Sequence, residues 1–131
     1  MATITVTTPR LVEAPDPDLF AIDLHDKEPW KRDLSELLIL VGQKLIRNEL
    51  QGEWLSMAQV TEYCRRYTLY WKNGTPRAKD LEMYAADYFA KAGEVRAGGV
   101  KVEARTKWNE KHRRQDMFLK FVRLYPDGTC A

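Results

Sequence analysis

The chain has 131 residues, a length for one domain rather than two full cores. Hydrophobic residues make up 44% and charged residues 31%, an ordinary globular composition, and the formal charge of +2 by itself selects no partner. The longest strictly apolar stretch near Leu37, Leu37-Leu38-Ile39-Leu40-Val41, falls far below the roughly 18 to 20 residues of a membrane-spanning helix.

Thr3-Ile4-Thr5-Val6-Thr7 alternates polar and β-branched residues and predicts a short half-buried strand that Pro9 stops. Pro15 and Pro17 mark an irregular link. Phe20, Ile22 and Leu24 share one parity and predict a second short extended segment, closed by Pro29. Asp33 to Leu50 is the strongest helix. Asp33 caps it, Glu36 completes a capping box, and Leu34, Leu37, Leu38, Val41 and Leu45 form one apolar stripe, with Gly52 as a stop.

Glu53-Trp54-Leu55 reads as an extended stub, and Ser56-Met57-Ala58-Gln59 as a second capping box. Met57, Val60, Tyr63, Cys64 and Tyr67 line one face of the helix that follows, so Cys64 reads as a small core residue. Asn73-Gly74-Thr75-Pro76 is a turn with Thr75 as cap and Pro76 at the first helical position. Leu81, Tyr84, Ala85, Tyr88 and Phe89 then predict a third amphipathic helix ending near Gly93.

Val95 to Thr106 reads as one strand, with Val100, Val102 and Ala104 on one face, Lys101, Glu103 and Arg105 on the other, and a bulge or turn at Gly98-Gly99. Met117 to Tyr125 is the last strand, largely apolar on both faces. The segment between them, Lys107 to Gln115, reads as a long polar, basic loop. The expected organisation is an acidic extended arm over residues 1–32, a folded unit over 33–125 and a frayed tail over 126–131.

Charge is unevenly placed along this order. Residues 1–40 carry four bases against eight acids, whereas residues 41–131 carry 17 bases against 11 acids. The contrast is sharpest between Glu13–Glu28, with six acids against Lys27, and Arg105–Arg114, with five bases against Glu110. This pattern points to a surface facing a polyanion and to an acidic arm, with a plainly solvated surface as the other reading. Two cysteines, Cys64 and Cys130, make no disulfide framework, and no basic start leads into an apolar run, so a cytoplasmic location is expected.

Catalytic patterns are missing. His25 and His112 lie far apart and in no metal spacing with Cys64 or Cys130, so neither a metal nor a cofactor is expected. Gly98-Gly99 is followed by no phosphate-loop lysine and serine or threonine, and no G-x-S-x-G turn occurs. The expectation is a protein that is not an enzyme.

Helix, stub, helix, turn, helix and hairpin with a basic connection: this order resembles a winged helix-turn-helix domain over roughly Asp33 to Tyr125. The resemblance implies an α+β fold: a three-helix winged-helix-like domain with a C-terminal β-hairpin wing, preceded here by the short extended arm. It also implies that Pro76–Ala92 is the recognition helix entering a DNA major groove and that Thr106–Gln115 is the wing. The outward face of that helix holds Lys79, Asp80, Glu82, Met83, Ala86, Asp87 and Ala90, so phosphate or guanine contacts fall to Arg77 and Lys79 at its start. The wing would add Arg105, Lys107, Lys111, Arg113 and Arg114, and Trp108 either stacks on a base or packs as a lid over the hairpin.

Two functions follow as expectations. One is a small nucleic-acid-binding regulator or accessory factor. The other is a protein-interaction module or inhibitor, of the kind phages and mobile elements encode. It would dock on a nucleic-acid-handling complex through Leu19, Phe20, Ile22 and Leu24 of the arm, and the last strand, apolar on both faces, leaves one face to be covered by the arm or by a second subunit of a homodimer. Neither involves a membrane.

Overall fold

The computed structural model describes residues 24–130 and shows a mixed α+β fold of three helices against a four-stranded antiparallel sheet. The expected strand Thr3–Thr7 and the arm residues Leu19, Phe20 and Ile22 lie outside the described residues. The helices are α1 (Leu34–Arg47), α2 (Met57–Arg66) and α3 (Ala78–Ala92). The strands are β1 (Trp54–Ser56), β2 (Val95–Ala97), β3 (Val100–Asn109) and β4 (Arg114–Arg123), in spatial order β1-β4-β3-β2.

Both predicted capping boxes form. The Asp33 carboxylate accepts from the Glu36 N–H at 2.9 Å while Glu36 accepts from the Asp33 N–H, and Ser56 and Gln59 make the same reciprocal pair. These contacts satisfy N–H groups that have no partner within the helix. α1 ends earlier than Gly52, because Asn48 caps it and Glu49 takes a left-handed backbone with φ 58°. The Leu50 N–H then returns to the Leu45 carbonyl and the Glu49 N–H to that of Ile46, which uses the last carbonyls of the helix. α2 closes in the same way through Thr68.

α3 begins two residues after Pro76. Arg77 is extended and serves as the cap residue without a side-chain cap bond, and Pro76 lies in the connection before it. The expected single strand Val95–Thr106 is two strands. Gly98 and Gly99 both have positive φ, 63° and 77°, and join β2 to β3 in the tight turn that two adjacent positive-φ residues permit. The buried Gln43 of α1 donates to the Gly98 carbonyl at 3.2 Å and fixes that turn to the helix layer.

Alternation along β3 and β4 sets the two sheet faces. Val100, Val102, Leu119 and Phe121 are buried under the helices, and α1 approaches so closely that Gly42 sits against Val100 and Phe121. β1 pairs with β4, not with a sequence neighbour, so Trp54 lies opposite Lys120 and Ser56 opposite Phe118.

The arm meets this core at residues 24–32. Leu24 packs against the core, and Pro29–Lys31 forms a single 3-10 turn. Arg32 is buried, and its guanidinium donates to the carbonyls of Leu24, His25 and Tyr70. The Trp71 indole N–H donates to the Arg32 carbonyl at 3.0 Å, so one residue joins the arm to the α2–α3 connection. After β4, where the sequence reads as a frayed end, Leu124 forms an isolated bridge with Cys130. No helix among the described residues is long and apolar enough to cross a membrane.

Candidate nucleic-acid interface

The expected long basic loop is a ribbon with a short tip. β3 runs to Asn109 and β4 resumes at Arg114, leaving only Glu110–Arg113 as the connection. The ladder continues because Thr106 and Trp108 pair with Met117 and Gln115, and strand pairing needs no core beneath it. From Arg105 to Gln115 every residue except Asn109 is exposed, so the distal half of the hairpin stands clear of the core.

Polar contacts stiffen the tip. The Asn109 amide donates to Asp116 at 2.7 Å and the Arg114 guanidinium donates to the same carboxylate at 3.0 Å. The Asn109 bond, with help from Arg114, holds the Asp116 carboxyl below the usual carboxylate range. The Asn109 side-chain oxygen accepts from the His112 N–H at 3.1 Å, and Arg113 takes a left-handed backbone with φ 54°. Trp108 is 48% exposed, and its indole N–H donates to Glu110 at 2.8 Å, so it is not a lid over the hairpin. That contact also occupies the only acid of the tip.

Lys79 and Arg114 line one cleft, together with Glu82, the start of α2 at Ser56–Ala58, and Asp116–Phe118 of β4. Glu82 reaches across it and accepts from the Met117 N–H at 3.2 Å, which ties the start of α3 to the stem of the hairpin where β1 no longer covers β4. The three acids on the outward side of α3 are all engaged. Asp80 pairs with Arg77, Glu82 with the Met117 N–H, and Asp87 with Lys91.

Arg77 falls elsewhere. It lines a separate cleft of about 480 Å³ with Trp71, Lys72, Asp80, Met83 and Tyr84. The Lys72 ammonium there sits 4.8 Å from the Trp71 ring and 4.6 Å from the Tyr84 ring. Arg105 also departs from the tip, lying 4.3 Å over the indole of Trp54. Of the seven sequence-predicted cations, Lys79, Arg105, Lys107, Lys111 and Arg113 have no carboxylate partner among the described residues, whereas Arg77 and Arg114 do.

Sequence reasoning missed Trp54 and Lys120. Their meeting depends on the pairing of β1 with β4, which no local pattern announces. Lys120 interrupts the apolar parity of Phe118, Val122 and Leu124 and was the available signal.

His25 and His112 are both exposed, and among the described residues no group of three His, Cys, Asp or Glu side chains could hold a metal ion. Burial pushes the Cys64 thiol up to about 12, which leaves it protonated and unreactive at neutral pH. Comparison of the chain with protein-family models, with curated proteins and with solved structures finds no match.

Proposed function

We propose that this chain is a non-enzymatic nucleic-acid-binding module of winged-helix type, acting as a small regulator or accessory factor. It contacts the phosphate backbone of a duplex through the β3–β4 ribbon and the start of α3. The observation that carries this reading is the projecting ribbon, whose Lys107, Lys111 and Arg113 have no carboxylate partner among the described residues. Lys79 adds a fourth such cation from α3, in the cleft that Arg114 shares. Phosphates neutralise cations of this kind and release condensed counterions, a driving force that requires no base-specific pocket.

The element order supports the winged-helix reading. Helix, short strand, two helices and a hairpin follow one another, with the short strand paired to the last strand. β2 is an addition to that order. The test is fluorescence anisotropy of a labelled duplex at low salt, comparing the wild type with K107A/K111A/R113A. Loss of most of the affinity with the fold intact is the expected result. Equal affinity of the two proteins would contradict the assignment.

A second reading, self-association, has its own observation. Trp30 and Met83 are 62% and 61% exposed, and with Tyr70 and Tyr84 they surround the Lys72–Gly74 turn. Exposed aromatic groups this close together are unusual for a monomer surface. Light scattering that returns the monomer mass at high protein concentration would remove this reading.

A further inference from the structure

We infer that the open face of the sheet is a binding surface for single-stranded nucleic acid, with Trp54 as its stacking residue. This rests on the nucleic-acid reading above and goes beyond it, because a stacking surface takes unpaired bases and the ribbon takes phosphates of a duplex.

The face is set by the ladder. Residues directly opposite one another in an antiparallel pair share a side, so Trp54, Lys120 and Glu103 form one row, and Ser56, Phe118 and Arg105 form the next. The following row holds Lys107 and Asp116, and Arg96 lies opposite Lys101 at the other end. The helices lie on the opposite face, against Val100, Val102, Leu119 and Phe121. Among the described residues no helix packs over the Trp54–Lys120–Glu103 row; beyond it the starts of α2 and α3 line the cleft beside Phe118, and at the other end Val122, opposite Lys101, is buried.

Its chemistry is one-sided. Lys101 is paired with Glu103, Arg114 with Asp116 and Arg96 with Glu94. Arg105, Lys107 and Lys120 have no carboxylate partner among the described residues. Arg105 reaches from β3 across β4 to lie 4.3 Å from the Trp54 ring centre, and Lys120 lies 5.6 Å from it. A half-buried aromatic ring with two cations against it provides the two elements a single strand needs. Bases stack on the indole or on the guanidinium above it, and the phosphates between them meet the cations. A duplex buries its base faces and cannot use the indole.

The charge complementarity selects a polyanion, and Trp54 with the neighbouring half-buried Phe118 selects one with exposed aromatic bases.

The test uses the full chain and two fluorescein-labelled probes, an oligothymidylate of about 12 nucleotides and a duplex of the same length, at low salt. Trp54→Leu keeps β1 apolar and removes the stacking ring. The expected result is a loss of about ten-fold in affinity for the single strand with duplex affinity unchanged. The double variant R105Q/K120Q leaves Trp54 in place. It is expected to weaken single-strand binding and to shallow its salt dependence, and it decides the matter if Trp54→Leu does not fold. A folded Trp54→Leu protein with wild-type affinity for the strand overturns the inference, as does an equal loss on both probes. Wild-type protein that binds the duplex and not the strand overturns this inference alone. Wild-type protein that binds neither removes the parent reading as well.

Discussion

Gly42 shows how tightly a single position fixes the layer spacing. A methyl group there would sit 2.4 Å from Val100 Cγ1 and 3.3 Å from Phe121 Cδ2. Both neighbours are fully enclosed between α1 and the sheet, so neither can give way cheaply. Gly42→Ala is therefore expected to destabilise the fold by about 1–3 kcal/mol in denaturant titration, despite alanine's better helix propensity. Cys64 supplies a second test at this scale. Its burial keeps the thiol neutral, so the stability it contributes is whole below pH 9.0, where the unfolded thiol would titrate, and is lost as pH rises towards about 12. At pH 8 a thiol reagent is expected to modify one cysteine rapidly, the exposed Cys130, and the second only on unfolding. Two fast thiols in the native protein would contradict the burial. Arg32 has a different kind of importance. Its guanidinium satisfies three backbone carbonyls from two separate segments, and nothing in its sequence neighbourhood marks it for burial.

Elements whose signals are local were legible in the sequence. Asp33 with Glu36 and Ser56 with Gln59 form capping boxes because both partners lie within one turn. Asp33→Ala is expected to cost about 1 kcal/mol, read as a lower unfolding midpoint with the same denaturant slope. The stripe on α1 and the split faces of β3 were legible for the same reason, since periodicity reports the face that is buried. Features that depend on distant partners were not. Trp54 reads as part of an isolated stub, and only pairing with β4 places it beside Lys120 and Arg105. Arg77 reads as part of the recognition-helix surface. Its extended backbone and its pairing with Asp80 place it in the Trp71–Tyr84 cleft instead. The Gly98-Gly99 pair carried the correct signal of an interruption, but a bulge and a tight hairpin use the same residues.

At the scale of the whole molecule, the acidic residues and the basic ribbon are not interchangeable surface. The acids on α3 are each committed to a neighbour, and Asp116 and Glu110 brace the tip. The uncommitted charge on the ribbon is positive and stands away from the core on a paired, braced hairpin. A polyanion bound there, as proposed, would meet cations on a paired backbone and so require little of the loop ordering that a flexible connection would. The most direct test is the salt dependence of duplex binding. Neutralising three phosphates corresponds to a slope change of about 0.9 per phosphate in log affinity against log salt concentration. K107A/K111A/R113A is thus expected to shallow the slope by nearly 3. An identical slope in wild type and variant, or no wild-type binding at the lowest salt concentration, would contradict the account.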